Sequence, residues 1–282
     1  MSQALAEARA ALEAAGSLPD AELDIAGVAL QLARIDAPEA DWRQAAHHLS
    51  ELARASVEAA TADGAADRGD VERRRAALAA VVHGRFGYAG DGESYEDMAN
   101  ANLLRVVERR RGLPVALGIL WLHAAEAAGW EAHGVDFPGH FLLALGAGRG
   151  QAVVDVFAGG AARSAPELRV LVKRFQGEQA ELQPGMLAAM GKRDVLLRLQ
   201  NNIKLRRLRS GDMEGALRCT EDMLRFAPGA ASLWREAGLM QNRLERIGAA
   251  ITSLGRFLDL VPEGAQADRV RGLIEELRQR LN

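Results

Sequence analysis

The fold is decided by residues 134–157, which carry the sequence GVDFPGHFLLALGAGRGQAVVDVF. Two apolar runs, 140–145 and 152–157, flank a glycine-rich tract at 146–150. Apolar runs of this length bounded by turn residues are typical of strands, and the tract between them is typical of a hairpin turn. Together with a third candidate strand at 131–137, they predict an antiparallel sheet.

The most apolar segment of the chain lies just before this sheet. Leu113-Pro114 opens a predicted helix at 115–128, in which His123 and Glu126 are the exceptions to an otherwise apolar surface. A helix that is apolar nearly all round is expected to be buried on most faces. A central buried helix against an antiparallel sheet predicts an α+β fold.

The N-terminal region has the pattern of successive helices. Residues 2–15 are alanine-rich and amphipathic, Pro19-Asp20 opens a second predicted helix, and Asp41 is placed to cap a third. Residues 61–70 contain aspartate and glycine without large apolar side chains, which is typical of a linker. We therefore predict an N-terminal helical region at 1–66 and a core domain at 67–185.

The C-terminal region, 186–282, repeats with a period of 34 residues. That is the tetratricopeptide period, in which alanine lets two helices approach closely and proline ends the second helix. We expect the helix at 265–281 to cap the open apolar face of this short array. The matching pairs are Leu199 and Leu233, Leu205 and Leu239, Ala216 and Ala250, Leu217 and Ile251, Leu224 and Leu258, and Pro228 and Pro262.

Composition limits the classes of partner and the cellular location. The 282 residues are 49% hydrophobic and carry a net charge of -3, so we expect neither nucleic acid nor a membrane surface as a partner. The N-terminus has no uninterrupted apolar core and no long apolar run follows, which favours a cytoplasmic protein. The single cysteine, Cys219, excludes an intramolecular disulfide and a thiolate metal cluster.

Three segments resemble the transglutaminase-like superfamily. They are RRRGLPVAL at 109–117, GVDFPGHFLL at 134–143 and VVDVF at 153–157. The chain is more closely similar to the bacterial SirB-type branch, which joins such a core to tetratricopeptide repeats. This resemblance extends over most of the chain and implies a transglutaminase- or papain-like core.

The resemblance also implies the positions of a catalytic cysteine, histidine and aspartate. In active members the cysteine opens a buried helix two residues after a glycine, where the helix N-terminus and a nearby histidine stabilise a thiolate. Here Gly112 is followed two residues later by Pro114, which suits the first helical turn but has no nucleophilic atom. The corresponding histidine and aspartate are His140 and Asp155.

The hairpin determines whether this pair can meet. A four-residue turn after Leu145 places His140 directly opposite Asp155 on one face of the sheet. A five-residue turn places Asp155 on the other face. A paired histidine and aspartate serve equally well as a catalytic dyad and as a buried hydrogen-bonded strut, so the sequence leaves both roles open.

Other candidate residues are explained more simply by structure. Cys219 occupies a small-residue position of a repeat helix, where packing is the expected role. His123 lies on the buried helix, and the adjacent His47 and His48 point to different helix faces, which makes them a poor metal site. The arginines at 109–111 fit either an anion site or a solvated helix face.

Two functional hypotheses follow. The first is a degenerate, non-catalytic core joined to a repeat array that binds a protein or peptide. The second is a hydrolase in which His140, oriented by Asp155, activates water or an unidentified nucleophile. Neither hypothesis requires a cofactor or a metal, and the sequence sets no oligomeric state.

Overall fold

The residues described by a computed structural model are 3–62, 70–148 and 150–281. They form two units. Unit 1 comprises Met1–Ala8 and Pro19–Leu199, and unit 2 comprises Arg9–Leu18 and Gln200–Asn282. The division into domains at 1–66, 67–185 and 186–282 stays a prediction, and its first boundary lies in 63–69, outside the described residues.

Side-chain caps explain where several helices of unit 1 begin. Asp41, as predicted, accepts hydrogen bonds from Arg43 N (3.0 Å) and Gln44 N (3.2 Å). Asn102 does the same for Leu104 N at 3.0 Å, which satisfies amides that a helix leaves unpaired. In the described part of the chain, the α-helices up to residue 209 are α1 Gln3–Gly16, α2 Ile25–Asp36, α3 Trp42–Ala62, α4 Val71–Ala79, α5 Leu103–Arg109, α6 Pro114–Ala127, α7 Ala165–Gln176 and α8 Lys192–Arg209.

The prediction that Pro19-Asp20 opens a helix is wrong in detail. Residues Asp20–Glu22 form only a 3₁₀ turn, and α2 begins after Asp24, whose carboxylate caps it. The carboxylate of Asp20 instead accepts hydrogen bonds from the amides of Lys192 and Arg193, both at 2.8 Å. Asp20 therefore caps α8, a long-range role that local sequence spacing does not reveal.

Among the described residues of unit 1, the strands form two sheets. A short parallel pair joins β1 Ala89–Gly90 to β2 Arg111–Gly112. The larger sheet has five antiparallel strands in the order β6-β5-β4-β3-β7. These strands are β3 Ala132–Val135, β4 Leu142–Ala147, β5 Gly150–Asp155, β6 Ala161–Ala162 and β7 Ala189–Met190.

The predicted register of the central hairpin is wrong by two residues. Ala147 pairs with Gly150, so the two strands continue through most of the glycine-rich tract, and only Gly148 and Arg149 lie between them. Arg149 is itself outside the described residues. Because a shift of two preserves the alternation of faces, Asp155 stays on the predicted face. His140, however, precedes β4 and lies in a bend.

The apolar helix α6 is buried as predicted, since eleven of its fourteen residues are buried. It approaches the sheet so closely that a Cβ added at Gly118 would lie 2.2 Å from Cε1 of Phe141. A second core cluster joins the sheet to α7 through Val135, Phe137, Leu142, Ala144, Leu168 and Val172. A buried helix and an antiparallel sheet confirm the predicted α+β class.

Unit 2 consists of paired helices with the 34-residue spacing. Its helices after α8 are α9 Met213–Phe226, α10 Ala231–Arg243, α11 Ile247–Leu260 and α12 Ala265–Gln279. The last helix covers the apolar face of α11, as predicted, in a cluster formed by Ala250, Leu254, Phe257, Val270, Ile274 and Leu277. Cys219 is buried among these helices, and its thiol lies 3.1 Å from Gln200 Oε1.

The second half of α1 belongs to unit 2, which the sequence did not predict. Arg9 Nε donates to Asp222 Oδ1 at 2.9 Å, and Arg225 forms an ion pair with Glu13. A Cβ at Gly16 would lie 2.2 Å from the Arg225 carbonyl oxygen. The helical array is thus extended by a segment distant in sequence. No helix among the described residues has the length and apolarity needed to cross a bilayer.

The contact between α6 and the sheet has a testable consequence. Alanine favours helix over glycine, but the added methyl group of Gly118→Ala would overlap the ring of Phe141. Overpacking a core costs about 1–3 kcal/mol, so we expect a fall of that size in the free energy of unfolding, measured by urea denaturation. Gly84→Ala is the control, because no atom lies within 4 Å of its added Cβ; an equal loss in both variants would contradict this account.

Candidate functional site

A tight turn between β3 and β4 presents His140. Gly139 adopts φ +69°, a conformation that favours glycine, and His140 N donates to Phe137 O at 3.0 Å. Arg198, from α8, donates from Nη2 to the carbonyl oxygen of His140 at 2.8 Å. The backbone on both sides of the imidazole is therefore fixed.

The imidazole of His140 is held by Asp155. Nε2 of His140 lies 3.2 Å from Oδ1 of Asp155, at the end of β5. The same oxygen accepts hydrogen bonds from the amides of Phe157 and Ala158, both at 3.1 Å. Arg163 donates to the other oxygen from Nη2 at 2.8 Å and from Nε at 3.2 Å. Since Nε2 must donate to a carboxylate, its proton is committed to this bond.

These contacts keep Asp155 ionised. Burial opposes the charge, but hydrogen bonds from His140 and Arg163 outweigh it and lower the pKa of Asp155 to about 2. The guanidinium of Arg163 forms an ion pair with the carboxylate at 2.8 Å. In a catalytic dyad, the negative charge of Asp155 would orient and activate the imidazole of His140. Here that charge is also balanced by the permanent positive charge of Arg163.

Aromatic rings enclose the other sides of the imidazole. The ring of Phe175, on α7, stacks parallel to it at a centroid distance of 6.1 Å, and the ring of Phe157 meets it edge-on at 6.3 Å. Tyr95 lies beyond, 6.0 Å from Phe157. The side chain of His140 is 12% exposed, so its access to solvent is narrow.

Pro114 begins α6, the position at which the resemblance places a cysteine. Pro114 is buried. The backbone amide of the preceding residue, Leu113, donates a hydrogen bond to the carbonyl oxygen of Asn100 at 2.9 Å. The strand pair before Pro114 adjoins the ring of Phe157, because a Cβ at Gly90 would lie 2.4 Å from Cδ2 of that ring. The ring that meets His140 thus also contacts the strands that lead into α6.

Sequence reasoning missed Arg163, Phe175 and Arg198, which together fix the His140–Asp155 pair. Arg163 follows Asp155 after a turn that contains Gly159 and Gly160, both with positive φ. No spacing rule identifies Arg163, because it lies beside β5 only as a result of the pairing between β5 and β6 in the folded chain. An arginine eight residues after a motif aspartate is the one signal present in the sequence.

The remaining candidates have structural contacts. His123 Nε2 lies 3.0 Å from Leu49 O. His47 and His48 lie 3.4 Å and 3.8 Å from Glu51. Within the described ranges, no group of three or more histidine, cysteine or carboxylate side chains is arranged to hold a metal ion.

Comparison with known proteins matches both parts of the chain. The model of the transglutaminase-like superfamily matches residues 41–201, and a tetratricopeptide repeat model matches 203–275.

A UPF0162 protein of Xylella fastidiosa is 29% identical over 270 residues, which is 93% of this chain and 92% of that protein. The protein SirB1 of Salmonella typhimurium is 26% identical over 200 residues, 71% of this chain and 74% of its own. A UPF0162 protein of Pseudomonas aeruginosa is 30% identical over 54% of this chain and 56% of its own. The predicted SirB-type resemblance is confirmed, and no solved structure matches the chain.

The charge on Asp155 predicts the acid stability of unit 1. Its pKa is lowered from 3.8 to about 2, so its stabilisation is complete above pH 3.8 and is lost as the pH falls towards 2. The shift corresponds to roughly 2 kcal/mol. We expect Asp155→Asn to be less stable than the wild type at pH 7 and this difference to shrink by about that amount at pH 2, measured by urea denaturation at each pH. Glu178→Gln, at an exposed position, is the control; a difference that stays constant with pH would contradict the assignment.

Proposed function

The chain belongs to the transglutaminase-like superfamily, and from that membership we propose that it is a non-catalytic member that binds a protein or peptide through its helical repeats. The proposal has two parts. One concerns the absence of chemistry at the core site, and the other concerns the surface of unit 2.

The observation that carries the first part is Pro114. Acyl transfer in the superfamily pattern needs a sulfur at the start of the buried helix, and proline supplies neither a thiol nor a hydroxyl. The single cysteine does not replace it, because Cys219 is buried and its thiol faces Gln200. Covalent chemistry through a thioester therefore has no attacking atom.

The contacts of the retained pair favour a structural role. Asp155 accepts hydrogen bonds from two backbone amides, from Arg163 and from His140. Removing one partner of such a buried network leaves unsatisfied polar groups, which costs about 1–3 kcal/mol. The pair thus stabilises the loop that follows β5 whether or not it has a chemical task.

The second part rests on a groove in unit 2. It has a volume of about 480 Å³ and is bordered by α9, α10 and α11. Its apolar wall includes Leu224 and Trp234, with Pro228 exposed at the rim. Glu221 and Arg225 add polar groups. Apolar surface with a few oriented polar groups is suited to an extended peptide or a helix of another protein.

One observation favours the alternative, a hydrolase. His140 and Asp155 are 3.2 Å apart, within hydrogen-bond reach, as a base and its orienting carboxylate would be. Such an enzyme would use the remaining ring nitrogen of His140 to activate water. The two functions predict opposite results in a single assay.

We expect the imidazole of His140 to contribute nothing to hydrolysis. The release of p-nitrophenolate from p-nitrophenyl acetate should fall no more in His140→Ala than in His47→Ala, which removes an imidazole that is 69% exposed. The folded fraction of each variant is measured by circular dichroism, and each rate is divided by that fraction. A loss of tenfold or more that is specific to His140→Ala would favour the hydrolase and end the non-catalytic proposal.

Binding through the groove is tested with a photo-crosslinking residue, p-benzoylphenylalanine, placed in the full chain. We expect Pro228→p-benzoylphenylalanine to form a discrete adduct with a protein or peptide when irradiated in bacterial cells, detected as a shifted band and identified by mass spectrometry.

The matched control is the same residue at Pro262, which occupies the equivalent position one repeat later, is exposed and does not line the groove. Adducts that form equally at both positions, or at neither, would argue against the groove as the binding surface. The competing explanation, that the repeats only stabilise the chain, predicts no adduct at either position.

A further inference from the structure

A second cavity, in unit 1, lies between α3 and the end of α5. Its volume is about 480 Å³, which falls in the range of small-molecule sites. The charged and titratable residues that line it are Asp41, His47, His48, Glu51, Glu108 and Arg110. It shares none of these residues with the His140–Asp155 site.

Arg110 holds an unfavourable backbone conformation at this cavity. It ends α5 with φ +56°, at a position that helices commonly fill with glycine. For a residue with a Cβ, this conformation costs roughly 1–2 kcal/mol. Strain of this kind persists where the side chain has a task that glycine could not perform.

The guanidinium of Arg110 is oriented by neutral groups. Nη1 donates to Tyr88 Oη at 2.7 Å and to Nε2 of His48, and the guanidinium carbon lies 5.0 Å from the centroid of the Tyr88 ring. In the part of the chain that the structure describes, no carboxylate forms an ion pair with Arg110. A guanidinium that lines a cavity and has no carboxylate partner is suited to binding an anion.

His48 adds no compensating charge. Burial and the positive charge of Arg110 lower the pKa of His48 to about 4, so the ring is neutral at physiological pH. Because arginine can only donate, the neutral ring accepts at Nε2. The phenol of Tyr88 is also neutral at physiological pH, and burial raises its pKa further, to about 12.

The opposite sign is supplied by carboxylates of the same cavity. Glu108 is paired with Arg105 at 2.9 Å, and Asp41 caps α3. Glu51 differs from both, because its contacts are the imidazoles of His47 and His48, at 3.4 Å and 3.8 Å. Among the residues that the structure describes, Asp41 and Glu51 form no ion pair with an arginine or a lysine, and of these two carboxylates only Glu51 is not used to cap a helix. The cavity therefore presents the guanidinium of Arg110 and the carboxylate of Glu51.

We propose that this cavity binds a small zwitterion of the α-amino acid class, with the ligand carboxylate on Arg110 and its ammonium group on Glu51. The planar fork of arginine matches a carboxylate in a bidentate geometry. The excess of carboxylates in the lining opposes a bare anion and favours a ligand that also carries a positive charge.

The test is a thermal-shift screen of the full chain against the twenty amino acids, each added singly at millimolar concentration. Inorganic phosphate and methylamine serve as probes with a single sign of charge. We expect at least one amino acid to raise the melting temperature, and neither single-charge probe to do so. Isothermal titration with that amino acid then gives its Kd.

Three variants assign the contacts. Arg110→Gln and Glu51→Gln should each weaken binding at least tenfold, whereas Arg111→Ala, at the exposed neighbouring residue, should leave the Kd unchanged. Since Arg110→Gln also alters a partner of the buried Tyr88, the ligand-induced shift is compared rather than the melting temperature itself. Glu51 is 45% exposed, so its variant tests binding with little change in the core.

Three results would overturn the proposal. They are the absence of a shift with any amino acid, a shift with phosphate alone, and unchanged binding in both Arg110→Gln and Glu51→Gln. The second result would make the cavity an anion site. The third would place the amino acid elsewhere on the protein.

Discussion

The carboxylate of Asp155 is the group on which the geometry of the core site depends. Its side chain is 6% exposed and accepts hydrogen bonds from four residues, one of them His140. A buried charge is tolerated only when such bonds replace its hydration. The end of β5, the loop after it and the turn that carries His140 are therefore constrained by one group, and a change in any of them must preserve its partners.

The start of α6 is constrained in a different way. Eleven of the twelve residues from Pro114 to Ala125 are buried, Trp121 among them, so the helix has no polar face through which it could shift towards solvent. Proline suits its first position because the amide that it lacks has no partner within the helix. The same position is where a nucleophile would profit from the helix dipole. The proline at residue 114 thus suits the start of the helix and supplies no nucleophilic atom there.

Local signals predict much of this fold, and long-range contacts determine the rest. The apolar α6 and the cap at Asp41 are each encoded within a few turns of helix, and the 34-residue period is readable as a regular spacing along the sequence. The hairpin register was missed because glycines permit several turn lengths, and Ala147 proved to pair with Gly150. The cap that Asp20 supplies to α8 and the return of Arg163 to Asp155 join residues through the folded chain, so no local pattern contains them.

These constraints bear on whether the retained His140 and Asp155 indicate a retained catalytic function. In an active site of this pattern, the aspartate would orient the histidine and leave the imidazole free to exchange protons. Here Arg163 forms an ion pair with the ionised aspartate, and the rings of Phe157 and Phe175 lie against the imidazole. Each of these contacts stabilises the fold and would do so without a substrate. A histidine and an aspartate at motif positions thus have contacts that support a structural role, and a catalytic role of the superfamily type would in addition require an attacking atom beside them.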